Sequence, residues 1–314
     1  MGKIAFVFPG QGSQSVGMGK ELAANFEQAQ ALFKKADEKL NFPLSQLIFE
    51  GRKEELTLTH NTQPALLTTS IALLSHFEQS GIKADYVAGH SLGEYSALVA
   101  SGVLSFEDAV YAVRKRGEFM QEAVPPGEGA MAAVLGLDRQ ALTSVAEEIT
   151  NEGFDVQLAN LNCPGQIVIS GTAKGVELAS AKAKEAGAKR ALPLEVSGPF
   201  HSELMKPAAE KFSSVLDAIT MNDAKIPVIA NVTAKSVSKK EEIKELLIEQ
   251  LYSSVLWEDS VQNLIGLGVD TFIEIGPGKV LAGLIKKIDR KVKIYSVYDE
   301  ETSSAVANAL KEEN

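Results

Sequence analysis

Short apolar or β-branched runs alternate along the chain with longer stretches whose apolar residues recur every three or four positions. That alternation predicts an α/β fold, a mostly parallel sheet with crossover helices. The strand candidates are KIAFVF (3–8), DYVAG (85–89), IPVIANV (226–232), TFIEIG (271–276) and VKIYSV (292–297). Between residues 129 and 197 the pattern tightens. GAMAAVLG reads as a strand, followed by a helix from Asp138 with Leu142, Val145, Ala146 and Ile149 on one face. DVQLANLN and QIVISG then read as two strands joined at CPG. A second helix starts at Thr172, places Val176, Ala179, Ala183 and Ala186 inward and stops at Gly187, before a last strand, RALPLEV. This βαββαβ order fits a ferredoxin-like unit. It is preceded by VPPGEG and followed by SGPFHS. The expected organisation is therefore a large domain over 1–126 and 198–314 with an inserted unit over 127–197, which should leave a cleft between them.

A length of 314 residues suits one large elaborated domain or two domains, and 45% hydrophobic residues fits an ordinary α/β protein and argues against long disorder. The first residues, MGKIAFVFPGQG, hold an apolar run too brief for a signal-peptide core or a membrane span, so a cytoplasmic location is expected. A net charge of −10 counts against nucleic-acid binding, which rests on neutralising phosphates. Basic clusters at Arg114–Arg116, 182–190 and Lys286–Lys287 read first as solvated helix faces. The single cysteine, Cys163, has no disulfide partner, and no Cys/His group has metal-ligand spacing, so neither a metal nor a resident cofactor is expected.

The chemistry starts at DYVAGHSLGEY (85–95). A strand candidate runs into Gly89-His-Ser91-Leu-Gly93 and then into a helix with Leu92, Tyr95, Leu98 and Val99 inward and Gly102 near its end. This is the strand–turn–helix of a nucleophile elbow, in which the flanking glycines make room for a sharp turn at Ser91. The larger domain is accordingly expected to be α/β-hydrolase-like. A serine nucleophile needs a base, and the chain has four histidines. His76 falls in a helical pattern, His60 in the polar stretch LTHNTQPALL with a loop role, and His90 beside Ser91, where its side chain should point elsewhere. His201 remains as the candidate base, where the inserted unit returns to the main domain. On the helix SFEDAVYAVRKRGEFMQEAV, capped by Ser105 and Asp108, the face of Ala109, Val113 and Met120 also carries Arg116, whereas Lys115 lies on a wetter face. A guanidinium on an apolar face wants a carboxylate or phosphate. An internal salt bridge or snorkelling accounts for it as well as a grip on a substrate carboxylate does. The loop FPGQGSQSVGMG lacks the Lys-Ser/Thr pair of a P-loop and has Ser15 where a dinucleotide fingerprint needs glycine. Its amides can instead complete an oxyanion hole with that of Leu92.

Together FPGQGSQ, TQPAL (62–66), GHSLGEYSAL, RGEFMQ, NCPGQIVISG, GPFHS and EIGPGKVLAGL closely resemble the malonyl-CoA:acyl carrier protein transacylases of bacterial fatty-acid synthesis, over almost the whole chain. The resemblance implies Ser91 as nucleophile, His201 as base, and the amides of Gln11 and Leu92 as oxyanion hole. Arg116 would bind the malonyl carboxylate, with Met120 on the same face as a further substrate contact. It also implies that a main-chain carbonyl, at Gln250, orients His201 in place of an acid. Phe200 before His201 would reject a 2-methyl branch, and Asn160, Asn162 and Asn231 would be cleft amides, although turn or strand-end roles explain them nearly as well. The implied partners are malonyl-CoA and an acidic acyl carrier protein, with no nucleic acid and no membrane. Two alternatives stay open: a serine esterase or lipase, and a non-catalytic scaffold. The esterase fold orders its triad serine, acid, histidine with the histidine late, whereas 113 residues follow His201 and no acid is assigned.

Overall fold

A computed structural model describes residues 2–196 and 198–312. Ser197, the expected end of the inserted unit, lies outside the described residues, as do 1, 313 and 314. Ten strands occur among them: β1 (Lys3–Phe8), β2 (Tyr86–Gly89), β3 (Gly129–Leu135), β4 (Val156–Cys163), β5 (Gln166–Thr172), β6 (Arg190–Pro193), β7 (Val228–Ile229), β8 (Ser236–Val237), β9 (Val269–Ile275) and β10 (Lys293–Val297). They form a six-stranded sheet, β10-β9-β1-β2-β7-β8, and a four-stranded one, β4-β5-β3-β6. All pairs of the first are parallel except β7 with β8.

The larger sheet is covered on both faces, which is why its strands read as unbroken apolar runs. In β1, Ile4, Phe6 and Phe8 enter one core with the helices Thr59–Phe77 and Phe106–Glu122, while Ala5 and Val7 enter another with Trp257, Val261, Leu281 and Ile285. IPVIANV yields only two strand residues. After Ile229 the chain bends into a turn, Ala230 N–H to Lys235 O and Ala234 N–H to Ala230 O, that brings Asn231 toward Ser91.

The smaller sheet is antiparallel throughout. The helices Arg139–Asn151 and Ala173–Glu185 cover one face, their first turns capped by the side chains of Asp138 and Thr172. Leu142, Val145, Ala146, Ile149, Val176, Ala179 and Ala183 make a separate core there with Ala132 and Val134. Ala186 lies past the end of its helix and is exposed, and Ala188 takes the buried place instead. The opposite face, through Met131, Ala159 and Val168, joins the core of the larger body.

His60 departs from the expected loop: it sits in the first turn of the long helix Thr59–Phe77. Pro64 lies inside that helix and donates no hydrogen bond to the carbonyl four residues back. That carbonyl, on His60, accepts from Arg114 Nη1 at 3.2 Å, so the helix continues. Among the described residues no helix is long and apolar enough to cross a membrane.

Candidate active site

Ser91 stands between the end of β2 and the helix Gly93–Ala100, with φ +49, a conformation few side chains adopt. The two glycines are sterically required. A Cβ on Gly89 would collide with the Gly93 backbone, and one on Gly93 with the carbonyl of Phe8 at the end of β1. Below the turn, Asn231 accepts from Ser91 N–H through Oδ1 at 2.7 Å and donates through Nδ2 to Gly89 O at 2.7 Å. The N–H groups of Gln11 and Leu92 have no protein acceptor among the described residues, and both residues line the cavity above Ser91. Two free amides at a nucleophile are the equipment of an oxyanion hole.

His201 Nε2 lies 2.8 Å from Ser91 Oγ and Nδ1 lies 2.8 Å from the main-chain oxygen of Gln250. A carbonyl only accepts, so Nδ1 carries the proton and Nε2 presents its lone pair to the serine. The His201 backbone is left-handed, φ +58, and is held by its own N–H to Leu251 O at 3.1 Å. Its carbonyl accepts from Gln157 Nε2 at 3.2 Å, and Gln157 also reaches Tyr252 O and Glu203 N–H. This amide of β4 thus fastens the smaller sheet to the histidine segment. Burial, and then the charge of Arg116, push the imidazole down to about 3, so it is a neutral acceptor over the ordinary pH range.

Arg116 is 1% exposed, and among the described residues it makes no ion pair. Nη1 donates to Gln63 Oε1 at 2.9 Å, and Nη2 donates to Gln250 Oε1 at 2.8 Å and to Ser91 Oγ at 3.1 Å. Among the described residues Nε has no acceptor, and the guanidinium carbon lies 5.5 Å from the Tyr95 ring centroid. Of the readings open for this arginine, neither the internal salt bridge nor snorkelling matches. The cation is buried, reaches Ser91 Oγ and is surrounded by neutral acceptors, which leaves it suited to an incoming anion.

These groups meet in a cavity of about 110 Å³ lined by Gln11, Ser91, Arg116, Met120, Asn160 and His201, with Phe200 and Leu194 at its apolar side. A larger cavity of about 610 Å³, along the helix Arg139–Asn151, contains neither a serine–histidine pair nor a glycine-rich loop and is not the site. Of the three predicted asparagines, Asn160 alone lines the smaller cavity, its Oδ1 buried without a partner among the described residues. Asn162 lies behind the site, 2.8 Å from His90 Nε2, and Asn231 lies beneath the elbow with both amide atoms committed. Their strand-end and turn settings explain them structurally. His90 points away from the serine, toward Asn162 and Trp257. The sequence reading assigned nothing to Gln63, Glu94 or Gln157. Glu94 had a visible signal, an acid within an otherwise apolar helix, but a carboxylate in a first turn also serves the helix dipole.

The acyl transferase domain family matches residues 5–309. The chain is 68% identical over 314 residues to the malonyl CoA-acyl carrier protein transacylase of Bacillus subtilis strain 168, covering 100% of this chain and 99% of that one. Among solved structures, an acyl-carrier-protein-S-malonyltransferase from Bartonella henselae superposes with a TM-score of 0.95 at 45% identity, over 98% of this chain and 99% of the other. A malonyl-transacylase solved in complex with a type II PKS acyl-carrier protein matches with a TM-score of 0.95 at 43% identity and the same coverage.

Proposed function

The chain belongs to the malonyl CoA-acyl carrier protein transacylases of the acyl transferase family, and on that premise we propose that Ser91 carries the malonyl group between its two thiols. The activity is malonyl transfer from malonyl-CoA to acyl carrier protein, which supplies fatty-acid synthesis. The observation that carries the proposed roles is the convergence on one oxygen: Ser91 Oγ meets a neutral histidine acceptor at 2.8 Å and a buried guanidinium donor at 3.1 Å.

Ser91 gives its proton to His201 Nε2 as Oγ attacks the thioester carbonyl, and the oxyanion forms against the amides of Gln11 and Leu92. The C–S bond breaks, and coenzyme A leaves as the thiol with the proton from His201. The pantetheine thiol of the carrier then enters, gives its proton to His201 and attacks the malonyl-serine ester. Ser91 is restored as its Oγ regains that proton. Arg116 pairs with the malonyl carboxylate throughout, and the Gln250 carbonyl holds the imidazole. Met120 and Phe200 wall the acyl group, Phe200 closing the space a 2-methyl branch would need. Asn160, with its unpaired Oδ1, offers an acceptor to a thioester arm. Asn162 and Asn231 act by supporting His90 and the elbow.

We further read the six-stranded body as α/β-hydrolase-like and residues 127–197 as a ferredoxin-like insertion, supported by the 4-strand order β4-β5-β3-β6 with two helices on one face. From this chemistry we expect a cytoplasmic location and no resident cofactor, since coenzyme A enters and leaves with the substrate.

The test is intact mass after brief mixing with malonyl-CoA and no acceptor. Wild type should gain one malonyl adduct that moves to carrier protein when this is added. Ser91→Ala should gain none, and Arg116→Ala at least about tenfold less at early times, as expected for a lost charge-assisted pair. An adduct that survives in Ser91→Ala, or that only hydrolyses, would overturn these roles.

A further inference from the structure

Glu94 stands beside the site without a part in those steps. It is 3% exposed, in the first turn of the helix that follows Ser91. Its Oε2 accepts from Gln250 Nε2 at 2.7 Å and from Asn231 N–H at 3.2 Å. The Gln250 amide hands this contact on, since its Oε1 accepts from Arg116 Nη2 at 2.8 Å while Nε2 also reaches Ser91 O at 3.1 Å. An amide between a carboxylate and a guanidinium has one favourable orientation. Turned over, it would point a donor at the cation and an acceptor at the anion.

The geometry points to Glu94 as a positioning residue for carboxylate selection: through the Gln250 amide it balances and orients Arg116 without occupying the face that a substrate carboxylate needs. A carboxylate in direct contact would form a closed ion pair and compete with the substrate, whereas a buried guanidinium with no anion nearby would be strongly disfavoured. One intervening amide satisfies both requirements. Burial raises the Glu94 carboxyl to about 7, while the Gln250 and Asn231 donors and the Arg116 charge act toward the ionised form. The inference rests on Arg116 as the malonyl-binding residue.

The experiment compares acylation of Ser91 by malonyl-CoA and by acetyl-CoA, read as quenched intact mass, with the saturating rate and the half-saturating concentration obtained separately. Glu94→Gln keeps the shape and removes the charge. Its efficiency with malonyl-CoA should fall about ten- to hundredfold, mainly through the half-saturating concentration, the scale of a charge-assisted hydrogen bond. Acetyl-CoA, which brings no carboxylate, should lose much less. Gln250→Met leaves the backbone carbonyl for His201, severs the relay at its middle and should lose the same preference. The double variant should be no worse than the worse single one. Equal losses with both thioesters, or an unchanged malonyl preference, would overturn the inference. If Glu94→Gln does not fold, Gln250→Met decides on the same readout. Wild type forming no malonyl adduct would instead sink the Ser91 reading and this inference with it, an outcome visible without any variant.

Discussion

His201 shows how much of the proposed catalytic base is decided by what surrounds it. Burial, and then the charge of Arg116, keep the ring neutral, and the Gln250 carbonyl holds its proton on Nδ1, which leaves Nε2 unprotonated. The folded value of about 3 lies below the ordinary 6.5, so between these the unfolded chain takes up a proton that the folded chain refuses. The stability this histidine contributes is therefore fully present above pH 6.5 and is lost as pH falls toward 3. With His201 as the proposed base, the same shift should govern reactivity. Labelling of Ser91 by an uncharged fluorophosphonate should stay level through pH 6.5 and fall only in more acid solution. Arg116→Ala should move that acid limb upward, since the largest influence after burial that depresses the imidazole is gone. A wild-type midpoint at 6.5 would mean that the ring is not desolvated as drawn. At this scale the sequence discloses groups whose alternatives can be counted, such as one elbow serine and four histidines. It does not disclose Glu94 or Gln63, because glutamate and glutamine in helices are ordinary, and only the packing turns them toward Arg116.

Elements whose neighbours in sequence are also their packing partners were the legible ones. The helix carrying Arg116 begins at the Ser105 cap, with Asp108 N–H to Ser105 Oγ at 3.1 Å, and its buried face holds Ala109, Val113, Arg116 and Met120 as its periodicity requires. The two-residue β8, the shortness of β7 and the helical place of His60 were not legible, because each depends on a distant partner: β8 on β7, His60 O on Arg114. The elbow joins both kinds. Its glycines can be read locally, but the reason for Gly93 is a different strand, since its α-carbon faces Phe8 O of β1. Gly93→Ala should therefore push β1 and the helix apart, costing about 1–3 kcal/mol in denaturant unfolding, and should abolish fluorophosphonate labelling while the fold persists. A variant that loses stability yet labels at the wild-type rate would show that Ser91 does not depend on this close approach.

Across the whole molecule, a chain of net charge −10 has to receive a carrier that the resemblance implies is acidic, so on that expectation the basic groups that meet it must be local. Of the three basic clusters in the sequence, that at Arg114–Arg116 holds the buried Arg116, and the one at 182–190 is partly neutralised, because Lys182 is paired with Glu148. The helix Val280–Ile288 is better placed. Lys286 lines a groove with Lys279 and Arg290, and Lys287 Nζ donates at 3.2 Å to Gln166, four residues past the Asn162 that holds His90. This helix also touches β4, the strand that carries Asn160 of the Ser91 cavity. Lys286→Glu with Lys287→Glu should raise the KM for carrier protein severalfold, more at low than at high salt, because a rim charge acts mainly on encounter. Formation of the malonyl adduct from malonyl-CoA should hardly change, and Lys182→Glu should do less to the carrier. If the double reversal leaves the carrier KM and its salt dependence as in wild type, the carrier approaches from another side, and the charge of this helix serves only its own last turn.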